Sequence, residues 1–228
     1  MASPPLLTLV CSDRHRNGKT LLSRVLVDFL LLEGRDPFVL DLDFQEGTLR
    51  DFFPGRTALV DFSVIAGRMK VFDTILASPG RDYVIDLPGQ QLKRFCDAVA
   101  DLQFRPAART AGFSFVTMFI VDEDEDSLKA AADAEESLTP DLFVPVVNRF
   151  VGSALPSGID SPVLIMEKID NDLHAIITYR RFSFRAFLLG EESGVPFRLR
   201  SNLKTFLHTL MAGFREIGPA LSLLKLRS

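Results

Sequence analysis

Along the first 150 residues, short continuous apolar runs alternate with stretches whose apolar positions recur every three or four residues. The runs at 6–11 (LLTLVC), 38–42 (FVLDL), 58–62 (ALVDF), 83–87 (YVIDL), 113–121 (FSFVTMFIV) and 142–147 (LFVPVV) have the unbroken hydrophobicity of strands buried on both faces. Between the first two, Leu21, Leu22, Val25, Leu26, Phe29 and Leu30 keep helical spacing through 18–32, and Gly34-Arg35-Asp36-Pro37 stops the stretch. Residues 63–76, closed by Ser78-Pro79-Gly80, and 127–138 read as further helices. Strand, helix, strand in repetition predicts an α/β fold, a mostly parallel sheet with helices on both faces. Beyond residue 150 the pattern weakens. SPVLIMEKI and HAIITYRRF read as strands and GSALPSGIDS as a loop. Residues 199–217 read as an amphipathic helix with Leu203, Phe206, Leu207, Leu210, Phe214 and Ile217 on one side.

Composition narrows the picture. A chain of 228 residues with 47% hydrophobic content can bury one substantial core and is short for two, so 1–228 is expected to be a single domain. A net charge of -4 argues against a surface built wholly for nucleic acid. The charge is uneven: residues 174–228 carry 9 Lys+Arg against 3 Asp+Glu, a partner hint for the C-terminal part. Cys11 and Cys96 form no CxxC and no disulfide framework, and no run reaches the length of a membrane span. With no basic leader at the start, a cytoplasmic location is expected.

The polar signals follow the strand ends. Ser12 through Thr20 comes after the first strand, and Asp41 with Asp43, Asp86, Asp122 and Asn148 end later ones. In parallel sheets that edge is where ligands bind. Gly18-Lys19-Thr20 follows a buried strand and opens a periodic helix, the setting of a phosphate-binding loop. Backbone N–H groups and the helix dipole then face phosphate, Lys19 reaches the β/γ-phosphates, and the Thr20 hydroxyl is a Mg2+ ligand. The alternative is an ordinary helix start, capped by Asn17 with Lys19 solvated. Asp43 and Asp86 at the same edge favour the loop, because Mg2+ uses few carboxylates and keeps its waters.

Taken together, SDRHRNGKT, VLDLDFQEG, VIDLPG and VVNRF resemble the ParA/MinD group of deviant Walker A P-loop ATPases, over about residues 5–150. The resemblance implies a P-loop NTPase fold, ATP and Mg2+ as cofactors, and a homodimer that sandwiches the nucleotide. It implies a phosphate cradle over Asp13, Arg14, His15, Arg16, Asn17, Gly18, Lys19, Thr20 and Leu21. The signature lysine of the family falls on Arg14, which would reach the partner subunit's nucleotide or contact phosphate within its own chain. Asp43 would orient the attacking water and approach the metal with Thr20 and Asp86, and Asn148 would read the adenine. Asn148-Arg149-Phe150-Val151 lacks the N-K-x-D of GTPases, which favours ATP. His15 and Arg16 stand where the family has glycine, and if both positions need positive φ each side chain costs roughly 1–2 kcal/mol.

Weaker signals have plainer readings. Residues 122–126 (DEDED) are expected to be the solvated acidic start of a helix and not a calcium loop. YRRFSFRAF with FRLRSNLK could offer arginines to DNA phosphates, or be a strand with buried aromatics and solvated arginines. The C-terminal FREIGPALSLLKLRS is expected to break at Gly218-Pro219 and dock on the sheet, since a membrane-binding helix needs more charge and length. Three functions remain: an ATPase timing the positioning or partitioning of a cargo, a catalytically weakened interaction scaffold, and a dethiobiotin-synthetase-like enzyme phosphorylating a small carboxylate.

Overall fold

Each apolar run sends alternate side chains into two different cores, and that alternation places the loops at one edge. In the computed structural model, residues 4–152, 162–179, 182–192 and 194–224 are described. The strands are β1 (Leu6–Cys11), β2 (Phe38–Asp41), β3 (Thr57–Leu59), β4 (Tyr83–Asp86), β5 (Ser114–Val121), β6 (Leu142–Asn148) and β7 (Leu164–Met166). They form one sheet in the order β3-β2-β4-β1-β5-β6-β7, with every neighbouring pair parallel. The helices are α1 (Lys19–Leu32), α2 (Leu49–Phe52), α3 (Ile65–Ala77), α4 (Leu92–Asp101), α5 (Phe104–Thr110), α6 (Glu125–Leu138), α7 (Asn171–Thr178), α8 (Phe184–Leu188) and α9 (Phe197–Leu224).

Val10, Val116, Met118 and Ile120 face a core shared with α1, α7, α8 and α9. Leu9, Cys11, Phe115 and Phe119 face the other, shared with α3, α4, α5 and α6. Phenylalanine dominates the second core: the rings of Phe72 and Phe104 lie 4.6 Å apart, and those of Phe62 and Phe95 5.4 Å. Such tilted pairs add to simple area burial.

Several expectations change. HAIITY is helical: the Asp170 carboxylate accepts the Leu173 N–H at 2.8 Å, a side-chain cap that overrides the strand preference of Ile176, Ile177 and Thr178. In YRRFSFRAF, Phe182, Phe184 and Phe187 are buried as the strand reading required, but Phe184 and Phe187 lie in α8 and Phe182 just before it. Helices α4 and α5 occupy 92–110, where the periodicity reading assigned nothing. Helix α9 does not break at Gly218-Pro219 but runs through to Leu224. Most of GSALPSGIDS, and also Arg180, Arg181, Lys225 and Arg227, lie outside the described residues. No helix among the described residues is long and apolar enough to cross a membrane.

A polar stripe on α1 ties the C-terminal part to the sheet. Asp28 is buried, and its carboxylate accepts the backbone N–H of Phe184 at 2.8 Å and of Arg185 at 3.1 Å. Burial pushes this carboxyl group up from the ordinary range, while those two N–H donors favour its charged form. Asp28→Ala leaves both donors without an acceptor and should lower stability by about 1–3 kcal/mol, several degrees in Tm. Asp28→Asn, which keeps an acceptor oxygen, should retain most of it. An unchanged melt for Asp28→Ala would show that residues 182–188 do not depend on α1.

Candidate functional site

The strand ends of β1, β2, β4, β5 and β6 bring the loop 12–18, Asp43, Asp86, Asp122 and Asn148 to one edge. Within the loop, Ser12 Oγ accepts the Arg14 N–H at 3.2 Å and also the Asn17 carboxamide. Lys19 Nζ donates to Asn17 Oδ1 at 3.0 Å and to the Arg14 carbonyl. The backbone runs through a narrow gap. A Cβ on Gly18, which sits at φ 99, would lie 2.6 Å from Asn148 Nδ2 and 2.7 Å from the Met166 methyl. A Cβ on Gly89 would lie 2.7 Å from the Arg14 carbonyl. Of the two side chains standing for family glycines, only Arg16 takes the left-handed region, at φ 54; His15 does not. The conformational cost therefore falls once.

At the tip of α1, the Thr20 hydroxyl donates to Asp86 Oδ2 at 2.8 Å and the Ser23 hydroxyl to Oδ1 at 3.0 Å. Asp86 is buried, and burial pushes its carboxyl group up to about 6 despite those bonds and the Lys19 charge. Asp41 is paired in register with Asp86 across β2 and β4. Burial, with the Asp86 charge adding to it, pushes Asp41 up to about 7. Asp41 accepts the N–H of Asp43 at 3.2 Å and of Leu49 at 3.1 Å, so it shapes the loop that presents Asp43. Lys19 is buried as well, and desolvation lowers its pKa against the pull of Asp86. A charged lysine beside buried carboxylates is a site short of stabilising partners until further groups arrive.

Two assigned residues are engaged in their own chain. The Arg14 guanidinium contacts Asp122 Oδ2 at 3.0 Å, Asp124 Oδ2 more closely and Asp13 at 3.5 Å. Asp13 also accepts the Ser127 hydroxyl at 3.1 Å, tying the loop to α6. The DEDED stretch is thus an acidic helix start, as expected, with Asp124 capping α6; its acids also grip Arg14. Asn148 donates to the Asn17 carbonyl at 2.7 Å and accepts the Phe150 N–H at 3.0 Å. In these contacts it holds the loop, and it also lines the cleft where its expected role of reading a base would be played. Sequence reasoning assigned no role to Ser12, Ser23, Asp41 or Gly89. Ser12 and Asp41 carried a signal, since each ends a strand at this edge.

A cleft of about 1030 Å3 opens above α1, bounded by Lys19, Thr20, Asp43, Phe52, Phe150 and His174. Its dimensions suit a nucleotide. The donors at Gly18 and Lys19 fit phosphate, and the Thr20 hydroxyl beside a buried carboxylate fits a Mg2+ ion that keeps waters and phosphate oxygens.

No family model and no curated protein matches the sequence. Among solved structures, the chain is similar to the septum site-determining protein MinD complexed with Mg-ADP from Pyrococcus horikoshii, at 15% identity and TM-score 0.51, covering 92% of this chain and 95% of that one. It is also similar to a nucleotide-binding protein in complex with ADP from Archaeoglobus fulgidus, at 16% identity, 75% and 84% coverage and TM-score 0.47. A third is the MinC:MinD cell division protein complex of Aquifex aeolicus, at 14% identity, 93% and 96% coverage and TM-score 0.44. The seven-stranded parallel sheet with helices on both faces is the fold shared with that Pyrococcus horikoshii MinD structure.

Proposed function

We propose that the chain is a ParA/MinD-type ATPase that binds MgATP above α1, dimerises around it and hydrolyses it slowly to control association with a partner. The Thr20–Asp86 hydrogen bond beneath Lys19 carries this reading, because it sets a hydroxyl and a carboxylate where a phosphate-bound Mg2+ needs them. In this reading Gly18 and Lys19 cradle the phosphates, with Asp13, Arg14, His15, Arg16, Asn17 and Leu21 completing the loop. Thr20 ligates the metal, Asp86 holds its water shell, and Asp43 orients the attacking water. The base lies against Phe150 and His174, whose rings stack at 5.8 Å and 8°. Arg14 crosses to a second subunit only by leaving Asp122 and Asp124.

That grip supports a second reading, a scaffold that binds nucleotide and turns it over little. DNA is the less supported partner: Arg198 pairs with Asp172 at 2.8 Å and Arg215 with Glu33 at 2.8 Å, which disperses the C-terminal charge. A protein partner or second copy fits better, with partitioning or positioning of a cargo as the output.

Titration calorimetry should show MgATP binding that Lys19→Ala weakens by about 10–100-fold, the worth of charge-assisted bonds to phosphate. Unchanged affinity removes the site assignment. Sedimentation should show a dimer with MgATP and a monomer with MgADP, with Arg14→Ala monomeric in both. A wild-type chain that binds ATP but stays monomeric and releases no phosphate is the scaffold.

A further inference from the structure

Helix α1 is apolar along most of its length, yet Thr20, Arg24 and Asp28 recur at four-residue spacing on one face. Thr20 and Asp28 have partners already described. Arg24 is the exception. Its side chain is 3% exposed, and its Nη2 donates to the Phe182 carbonyl at 3.1 Å. Its Nε is buried with no hydrogen-bond partner, and among the described residues no carboxylate lies within ion-pair distance of the guanidinium. Asp28, one turn on, gives its carboxylate to the backbone of Phe184 and Arg185. Two rings flank the cation instead, Phe52 at 3.5 Å from its centroid and Phe184 at 4.8 Å.

A buried charge is costly unless paired, and ring faces compensate only part of the lost hydration. Burial lowers the Arg24 pKa to about 9, opposed by Asp28 alone. Arg24 also lines the cleft, as do Thr20, Thr48 and Phe52. Residues four apart on a helix are neighbours, so this cation lies one turn from the hydroxyl assigned to the metal. A planar fork with unspent N–H donors in a water-poor wall suits a carboxylate or phosphate group.

We propose that Arg24 is the recognition residue of a second anion subsite in the cleft, which takes a carboxylate or phosphate group in addition to the phosphates at Gly18–Thr20. The inference extends the nucleotide reading of the same cleft. The second anion is either a further phosphate on the nucleotide or a separate small acid bound beside it.

The test titrates inorganic phosphate into the full chain, with and without saturating MgADP. Arg24→Gln keeps an amide donor for the Phe182 carbonyl and removes the charge. It should weaken phosphate binding by about tenfold or more, while MgADP affinity stays within about twofold. Arg24→Lys should recover part of the loss, and its fold, checked by melting temperature, guards against a merely structural effect. Phosphate binding beside MgADP assigns the subsite to a separate acid. Tighter binding of a nucleoside bisphosphate with its second phosphate on the ribose, lost in Arg24→Gln, assigns it to the nucleotide. Phosphate affinity unchanged in Arg24→Gln overturns the proposal, as does phosphate binding abolished by Lys19→Ala but untouched by Arg24→Gln. If MgADP does not bind the wild-type chain, the nucleotide reading fails, and the phosphate arm still decides the role of Arg24.

Discussion

The site depends on the gap through which the loop 12–18 passes. On one side Asn148 bonds the Asn17 carbonyl and crowds Gly18; on the other Gly89 lies against the Arg14 backbone. A side chain at either glycine would force backbone or a buried carboxamide to move, so the loop has little freedom to relax. Its backbone is consequently fixed before any ligand arrives, so little ordering remains to be done on binding. The gap also explains why His15 and Arg16 are tolerated. They sit on the exposed outer part of the loop, beyond the pinch.

Around that rigid loop the charges are arranged in opposition. Asp41 and Asp86 are neighbours in register on β2 and β4, both buried, and the Lys19 charge acts on Asp86. Like charges at close range disfavour ionisation, and a metal ion with its phosphates would change the balance at once. Arg14 and Asp122 with Asp124 form a second, more exposed opposition at the β5 side of the loop. Being half-exposed, that pair contributes little to stability and is easily exchanged for another anion.

Much of this was legible in the sequence, and for a physical reason. Strands buried on both faces announce themselves as unbroken apolar runs, so LLTLVC and FSFVTMFIV mark β1 and β5 closely. Strand ends then locate Asp43, Asp86 and Asn148 at the loop without knowledge of any contact. Helices α4 and α5 were harder, because Gln103 at φ 49 and Pro106 interrupt the periodicity between Phe95 and Ala108. The contacts of Asn148 with the loop were not legible at all. Whether a strand-end carboxamide faces a ligand or a neighbouring carbonyl depends on which backbone packs beside it, and that is set by long-range pairing. The same holds for Arg24, whose lack of a counter-charge emerges only when Asp28 is seen to cap α8.

The position of β1 bears on how the molecule is made. It is the central strand and precedes its sheet partners in the chain, yet Leu7 pairs with Tyr83 and Leu6 with Ser114. Closing such long segments is slow, and no hairpin can shelter β1 in the meantime. Asn148, the last clamp on the loop, emerges later still. The loop 12–18 is thus shaped only after strands far along the chain have formed, and LLTLVC keeps two open edges until β4 pairs with it and one until β5 does. Unpaired apolar edges of that kind are the ones prone to pair with other chains before the sheet is complete.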